Sequence, residues 1–342
     1  MSFTKEKRIS IKQYLLEKIF SEDCSPAQKA AEAFDISLNT VYRYLRELEQ
    51  QGIIKKNKKT EYSLISSTES FVLSRAKGEL LDEYKINEDK IEKYTEKLPG
   101  NVTSIWDYAF TEMMNNAIDH SQADYVTCSI MQNYMNTTIL IKDDGIGIFK
   151  NIRDNFSFGT LDDAVEELFK GKLTTNSAKH SGEGIFFTSR LMDEFAAISD
   201  GKVFTHTKFE ELIQSIEEID MLKEWQDLEG TVIFMRLSNF TRKSTKQIFD
   251  MFADVDDGFT KTTIPVKGIF ERYPVSRSQA KRLYRRLENF KTVVLDFEGI
   301  DEIGQGFAHE LFVVFQNEHP EVELIPLNMS EYVKKMVDHV KR

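Results

Sequence analysis

Cysteine is nearly missing from these 342 residues: only Cys24 and Cys128 occur, far apart and outside any C-x-x-C pair. A disulfide framework or a thiolate zinc site is therefore not expected, and a reducing, cytoplasmic setting is the natural reading. No apolar run approaches the roughly 20 residues of a bilayer-spanning helix, so no membrane association is expected. The opening residues, MSFTKEKRIS, lack the apolar stretch of a secretory leader. Internal repeats and low-complexity segments are missing too. Apolar residues make up 41% of the chain, enough for several modest cores in a polypeptide too long for one.

The net charge of −11 argues against a simple nucleic-acid binder, but its distribution is uneven. Residues 1–60 carry 12 Lys+Arg against 8 Asp+Glu, a basic head on an acidic body. In that head, Ile11, Leu15 and Ile19 recur at helical spacing, and Ser25-Pro26 is an N-cap with proline at the first helical position. A turn at Asp35-Ile36-Ser37 precedes a helix closed by Gly52, with Leu38, Val41, Leu45 and Leu48 on one face. IIKKNKKTEYSLI then reads as two short strands around a lysine-rich tip. Helix, helix, turn, helix and hairpin form a winged helix-turn-helix pattern over residues 1–66.

Residues 67–100 read as a charged helical connector ended by Pro99-Gly100. Residues 101–258 alternate helix and strand signals: a helix over 102–120, a hairpin leading into Asp143-Asp144-Gly145, a polar glycine-rich stretch from 149 to 184, then a helix and further strands. Residues 259–342 read as a small α/β unit with a basic helix (VSRSQAKRLYRRLENF), a buried strand (KTVVLDFEG), and later helix, strand and helix. The expected class is multidomain α+β: a winged helix, an α/β sandwich and a small α/β domain.

Three stretches carry chemistry. In TEMMNNAIDHS, Glu112, Asn116 and Asp119 sit at i, i+4 and i+7 on one helix face. An Asn carbonyl there can ligate a hard cation, and Glu112 can take a proton from an attacking water. Asp143-Asp144-Gly145-Ile146-Gly147 follows a strand, where glycines let the backbone turn sharply and approach a ligand. Ser181-Gly182-Glu183-Gly184-Ile185 runs straight into a helix, presenting free amides and a positive dipole end suited to phosphate.

In order and spacing this set resembles the GHKL superfamily, which includes gyrase, MutL and histidine kinases. Glu112 to Asp119 is similar to its E-x-x-x-N-A-x-D box, Asp143 to Gly147 to its D-x-G-x-G box, and Gly182 and Gly184 to the G-x-G that ends its lid. Gly230-Thr231 stands where the family has a late G-T before a strand. The resemblance implies an α/β sandwich that binds ATP. Asn116 would hold Mg²⁺, Asp143 with Thr231 would bond adenine, and Gly145 and Gly147 would admit the base. Ser181, Gly182, Gly184 and Ile185 would cradle phosphates, and residues 150–181 would form the lid, with Lys172, Thr174 and Thr175 as lid residues and Lys172 a candidate phosphate contact. Glu112 would be the general base of a hydrolytic enzyme. Gly-Glu-Gly followed by Ile185-Phe186-Phe187 departs from the family's usual Gly-Leu-Gly-Leu.

LDFEGIDEIGQGFAHEL resembles the strand-turn-helix of STAS domains, and 262–342 looks like the STAS-like domain that often follows a GHKL module. Related antagonists carry a phosphorylatable serine at the turn where this chain has Gly304-Gln305-Gly306, so serine phosphorylation in cis is excluded there. His309 reads as an ordinary helix histidine. The cluster Arg277, Lys281, Arg282, Arg285 and Arg286 reads as a solvated face or a contact for nucleic acid or an acidic partner. In the head, Ser37, Asn39, Thr40, Tyr42, Arg43 and Arg46 are the residues expected at base edges and phosphates, with Lys55, Lys56, Lys58 and Lys59 as the wing. The expected protein is an ATP-responsive DNA-binding regulator using ATP and Mg²⁺, with a homodimer or a protein partner for the last domain allowed. Alternatives are a serine kinase acting on a partner in trans and a non-hydrolysing nucleotide-sensing scaffold.

Overall fold

Apolar spacing and capping residues shape the N-terminal segment into three helices and a hairpin. The computed structural model describes residues 3–21, 23–57, 61–172, 183–207, 229–254, 258–270 and 273–341. Helices α1 (Lys5–Phe20), α2 (Pro26–Phe34) and α3 (Leu38–Gln50) precede strands β1 (Ile54–Lys56) and β2 (Tyr62–Leu64), paired antiparallel with Ile54 opposite Leu64. Ser37 caps α3 by accepting from the Thr40 amide, and Pro26 fills the first position of α2, where no amide donor is needed. Ile11, Leu15, Val41, Tyr44 and Leu45 form the core of this segment, joined by Met135. Leu38 is not part of it. It is 44% exposed, because the inward stripe of α3 is Val41, Tyr44, Leu45 and Leu48 and Leu38 precedes it in the first turn.

The chain forms two units. One is Met1–Phe71 with Cys128–Leu140 and Arg236–Thr241; the other is Val72–Thr127, Ile141–Met235 and Arg242–Arg342. A six-stranded sheet contains β3 (Ser67–Ser74), β4 (Tyr125–Gln132), β5 (Asn136–Asp143), β6 (Glu194–Ser199), β7 (Lys202–Phe204) and β8 (Thr231–Ser238), in the order β3-β4-β5-β8-β6-β7. β3 corrects the expected helical connector. Burial alternates along Phe71-Val72-Leu73, with Val72 exposed and Leu73 buried, a short two-residue period masked by the charged residues after it. Helix begins only with α4 (Glu83–Ile86) and, after a wider turn at Asn87–Ile91, α5 (Glu92–Thr95).

The long helix α6 (Gly100–Asp119) buries Ile105, Trp106, Ala109, Phe110, Met113 and Met114 completely. The stretch expected to be a polar loop begins instead as two helices, α7 (Ile148–Phe156) and α8 (Leu161–Lys170). A Thr160–Asp163 capping box starts α8, a signal that the surrounding polar residues concealed. α9 (Gly184–Leu191) and α10 (Thr245–Phe252) pack near α6, and a two-residue ladder joins β9 (Ala253–Asp254) to β10 (Gly258–Phe259).

The C-terminal domain is a parallel sheet of β11 (Lys261–Pro265), β12 (Thr292–Asp296) and β13 (Glu323–Leu327), aligned at Thr262, Val293 and Leu324. Parallel pairing requires crossovers. After the short α11 (Val266–Ile269), the first is α12 (Arg277–Tyr284), opened by a Ser276–Gln279 capping box. The second is a helical run of α13 (Gln305–His309), a wide turn at Glu310–Phe315 and α14 (Gln316–Glu318). α15 (Glu331–Val340) closes the domain.

Candidate functional site

A cavity of about 550 Å³ opens between α6, the β5–α7 turn, α8, α9 and β8, a size usual for small-molecule sites. Ile141, Ile148, Ile152, Leu168 and Ile233 give it apolar walls. Glu112, Asn115, Asn116, Asp143 and Thr231 bring polar groups to it.

Asp143 ends β5 and is 5% exposed. Its Oδ1 accepts from the Gly145 amide at 2.9 Å and the Thr231 amide at 3.2 Å; neither bond uses Oδ2. Thr231 Oγ1 in turn accepts from the Ile148 amide at 3.0 Å, so one network ties β5, β8 and the start of α7. Burial pushes the Asp143 carboxyl up to about 6, against the lowering effect of its amide donors. Asp144 does different work. It is exposed, and its Oδ1 accepts from the Asp124 and Tyr125 amides at 2.9 Å each, pinning the start of β4. The two glycines of the turn are required by geometry. Gly147 has φ +82° and no room for a Cβ against Ser199 and Asp200, while a Cβ at Gly145 would overlap the Ser121 carbonyl.

At the other end, Glu112 reaches the first residue of α9: a Cβ on Gly184 would collide with its carboxylate. Glycine here lets the helix start approach α6. Tyr108, one turn before Glu112 on α6, is raised above the usual phenol range by burial first, then by Glu112 and Glu183. Among the described residues no group of three His, Cys, Asp or Glu is placed to hold a metal ion. Asn116 nevertheless offers a hard carbonyl oxygen of the kind suited to Mg²⁺, which takes one or two protein ligands.

The cavity thus brings together Glu112, Asn116, Asp143, Gly147, Gly184, Ile185 and Thr231. Three expected residues stand elsewhere. Asp119 is exposed at the last turn of α6 and does not line the cavity; the wall there passes to His120 and Ser121. Gly145 shapes the turn without facing the cavity. Lys172 donates from Nζ to the Asn289 carbonyl at 2.9 Å and lies 4.9 Å from the Phe290 ring centre, turned to the C-terminal domain instead of to a phosphate site. Thr174, Thr175, Ser181 and Gly182 lie outside the described residues. Asn115, His120, Asn151, Glu83 and Tyr84 also line the cavity. Only adjacency to Asn116 hinted at Asn115, and nothing local marked the others.

In the head, Ser37, Asn39, Arg43 and Arg46 are exposed along α3, and Lys55 and Lys56 along β1. Thr40 and Tyr42 are half-buried, Tyr42 packing on the helical core; Lys58 and Lys59 lie outside the described residues. The C-terminal basic cluster is solvated only at Arg277 and Lys281, which are exposed: Arg282 pairs with Glu166, and Arg285 pairs with Asp163 and Glu167. At the Gly304-Gln305-Gly306 turn, the Val275 carbonyl accepts from the Phe307 amide, and a Cβ on Gly304 would meet that same oxygen at 2.5 Å. The turn lacks a hydroxyl and has no space for one at Gly304.

Residues 104–238 match the family described as histidine kinase-, DNA gyrase B-, and HSP90-like ATPase. Residues 279–334 match a STAS-like domain of unknown function. The chain therefore contains a GHKL-type ATP-binding domain, of ATPase or kinase type, and a STAS-like domain. No curated protein matches it.

Proposed function

We propose that this protein binds Mg–ATP in the α6–α9 cavity, hydrolyses it, and uses nucleotide state to govern DNA binding by its N-terminal helices. The observation that carries the reading is Asp143: a buried carboxylate whose Oδ1 is held by two amides, at one end of a cavity whose other end meets a helix start. Asp143 takes the exocyclic amine of adenine, with Thr231 fixing the carboxylate and apolar residues sandwiching the ring. Asn116 would hold Mg²⁺ through its carbonyl oxygen, and the ion would supply charge neutralisation at the phosphates. Glu112 accepts the proton of a water as its oxygen bonds to the γ-phosphorus; the bond from that phosphorus to the bridging oxygen breaks, and ADP leaves with the electron pair.

The DNA part of the proposal rests on exposed Asn39, Arg43 and Arg46 on a capped helix with Lys55 and Lys56 on the adjoining hairpin. A route from nucleotide to head is suggested by β5, which follows Met135, a residue of the head's core, and ends on Asp143. The test is duplex-DNA affinity with and without Mg–ATP, for the wild type and Asn116→Ala. Nucleotide is expected to shift the wild-type affinity only; identical affinities in all four conditions would refute the coupling.

A further inference from the structure

Two helices that wall the cavity are gripped from behind by the C-terminal domain. α8 places Leu168 in the cavity wall and turns its charged side chains to the end of α12. Arg285 spans two of them, with Nε 3.0 Å from Glu167 and a terminal nitrogen 3.3 Å from Asp163, and Arg282 meets Glu166. Lys170 is 1% exposed. It donates to Glu167 at 2.7 Å and to the carbonyls of Arg282 at 3.1 Å and Arg285 at 3.0 Å, at the end of α12 where helical carbonyls lack internal partners. Thr262 of β11 completes the clasp by donating to the Lys170 carbonyl at 2.8 Å.

α9 is held in the same way. Phe186 lines the cavity and its ring centre lies 4.7 Å from that of Phe259. One turn on, Arg190 stacks on Phe186 and donates to the Thr263 carbonyl of β11 at 2.8 Å. Gly171 faces both ways: it lines the cavity, and a Cβ there would strike the Phe259 ring at 2.7 Å.

We infer that the STAS-like domain is coupled to the nucleotide state of the cavity, because the helices that wall the cavity are the helices it clamps. The inference rests on the nucleotide reading above. Coupling of this kind is reciprocal: what nucleotide does to the clamp, a change at the clamp does to nucleotide affinity. Glu166, Glu167 and Lys170 are held out of water while Arg282 and Arg285 reach them from the surface, so the two domains cannot slide independently without leaving buried charges unpaired.

The experiment is hydrogen exchange on the full chain, with and without Mg²⁺ and the β,γ-imido analogue of ATP, for wild type and Arg285→Lys. Lysine keeps the charge but cannot bridge Asp163 and Glu167 together. In wild type the analogue should slow exchange by about fivefold or more at both Asp143–Ile148 and α12, the lower end of ordinary coupling. In Arg285→Lys the slowing at Asp143–Ile148 should persist while that at α12 is largely lost. Slowing confined to Asp143–Ile148 in wild type, or equal responses of α12 in both proteins, would overturn the inference. Slowing at neither segment would overturn the nucleotide reading and take the inference with it.

Discussion

Asp143→Asn should stabilise the ligand-free protein at neutral pH and do so much less in mild acid. The folded carboxyl sits at about 6 against an ordinary value of 3.8, so the folded state holds that proton more tightly than the unfolded one. Stability from protonated Asp143 is therefore complete below pH 3.8 and lost as pH rises through 6. Two units at 1.36 kcal/mol each amount to about 3 kcal/mol, of which about 2 kcal/mol falls between pH 4.5 and 7.5. Asparagine keeps the oxygen that accepts from the Gly145 and Thr231 amides and never ionises. Urea unfolding followed by Trp106 fluorescence, in a Trp225→Phe background, reads the effect beside a fully buried reporter. The variant's advantage should grow by about 2 kcal/mol from pH 4.5 to 7.5. An advantage constant to within about 0.5 kcal/mol would refute the account of a desolvated carboxylate.

Two further outcomes follow from the same geometry. Gly145→Ala forces a Cβ onto the Ser121 carbonyl, a backbone atom that cannot swing away, so stability should fall by about 3 kcal/mol in the same unfolding assay. Glu112→Gln should lower phosphate release by about a hundredfold or more while nucleotide affinity changes only a few-fold, as measured by release kinetics beside equilibrium titration.

Much of this site was legible in the sequence because its requirements are local. A buried aspartate at a strand end, glycines at a turn and a glycine at a helix start each mark themselves over a few residues. The order of three helices and a hairpin in the head was legible for the same reason, through Pro26 at the first position of α2 and Ser37 capping α3. Asp119 misled because face arithmetic assumes that the cavity runs as long as the helix, whereas the wall passes to His120 and Ser121. Lys172 and the Arg282–Arg286 cluster misled for a different reason. Their partners lie over 110 residues away in sequence, at Asn289, Asp163, Glu166 and Glu167, and no local pattern announces a long-range ion pair. α8 escaped notice because its cap, Thr160 with Asp163, reads as loop until Glu166 and Glu167 are seen to be buried.

The central claim is tested most directly by isothermal titration of Mg–ATP into the wild type and Asp143→Asn at pH 7.5. The account predicts one site per chain in the wild type. Affinity should fall about a hundredfold or more in the variant, where an amide donor faces the adenine amine and leaves it unpaired. No binding by the wild type, or equal affinity in both proteins, would contradict it.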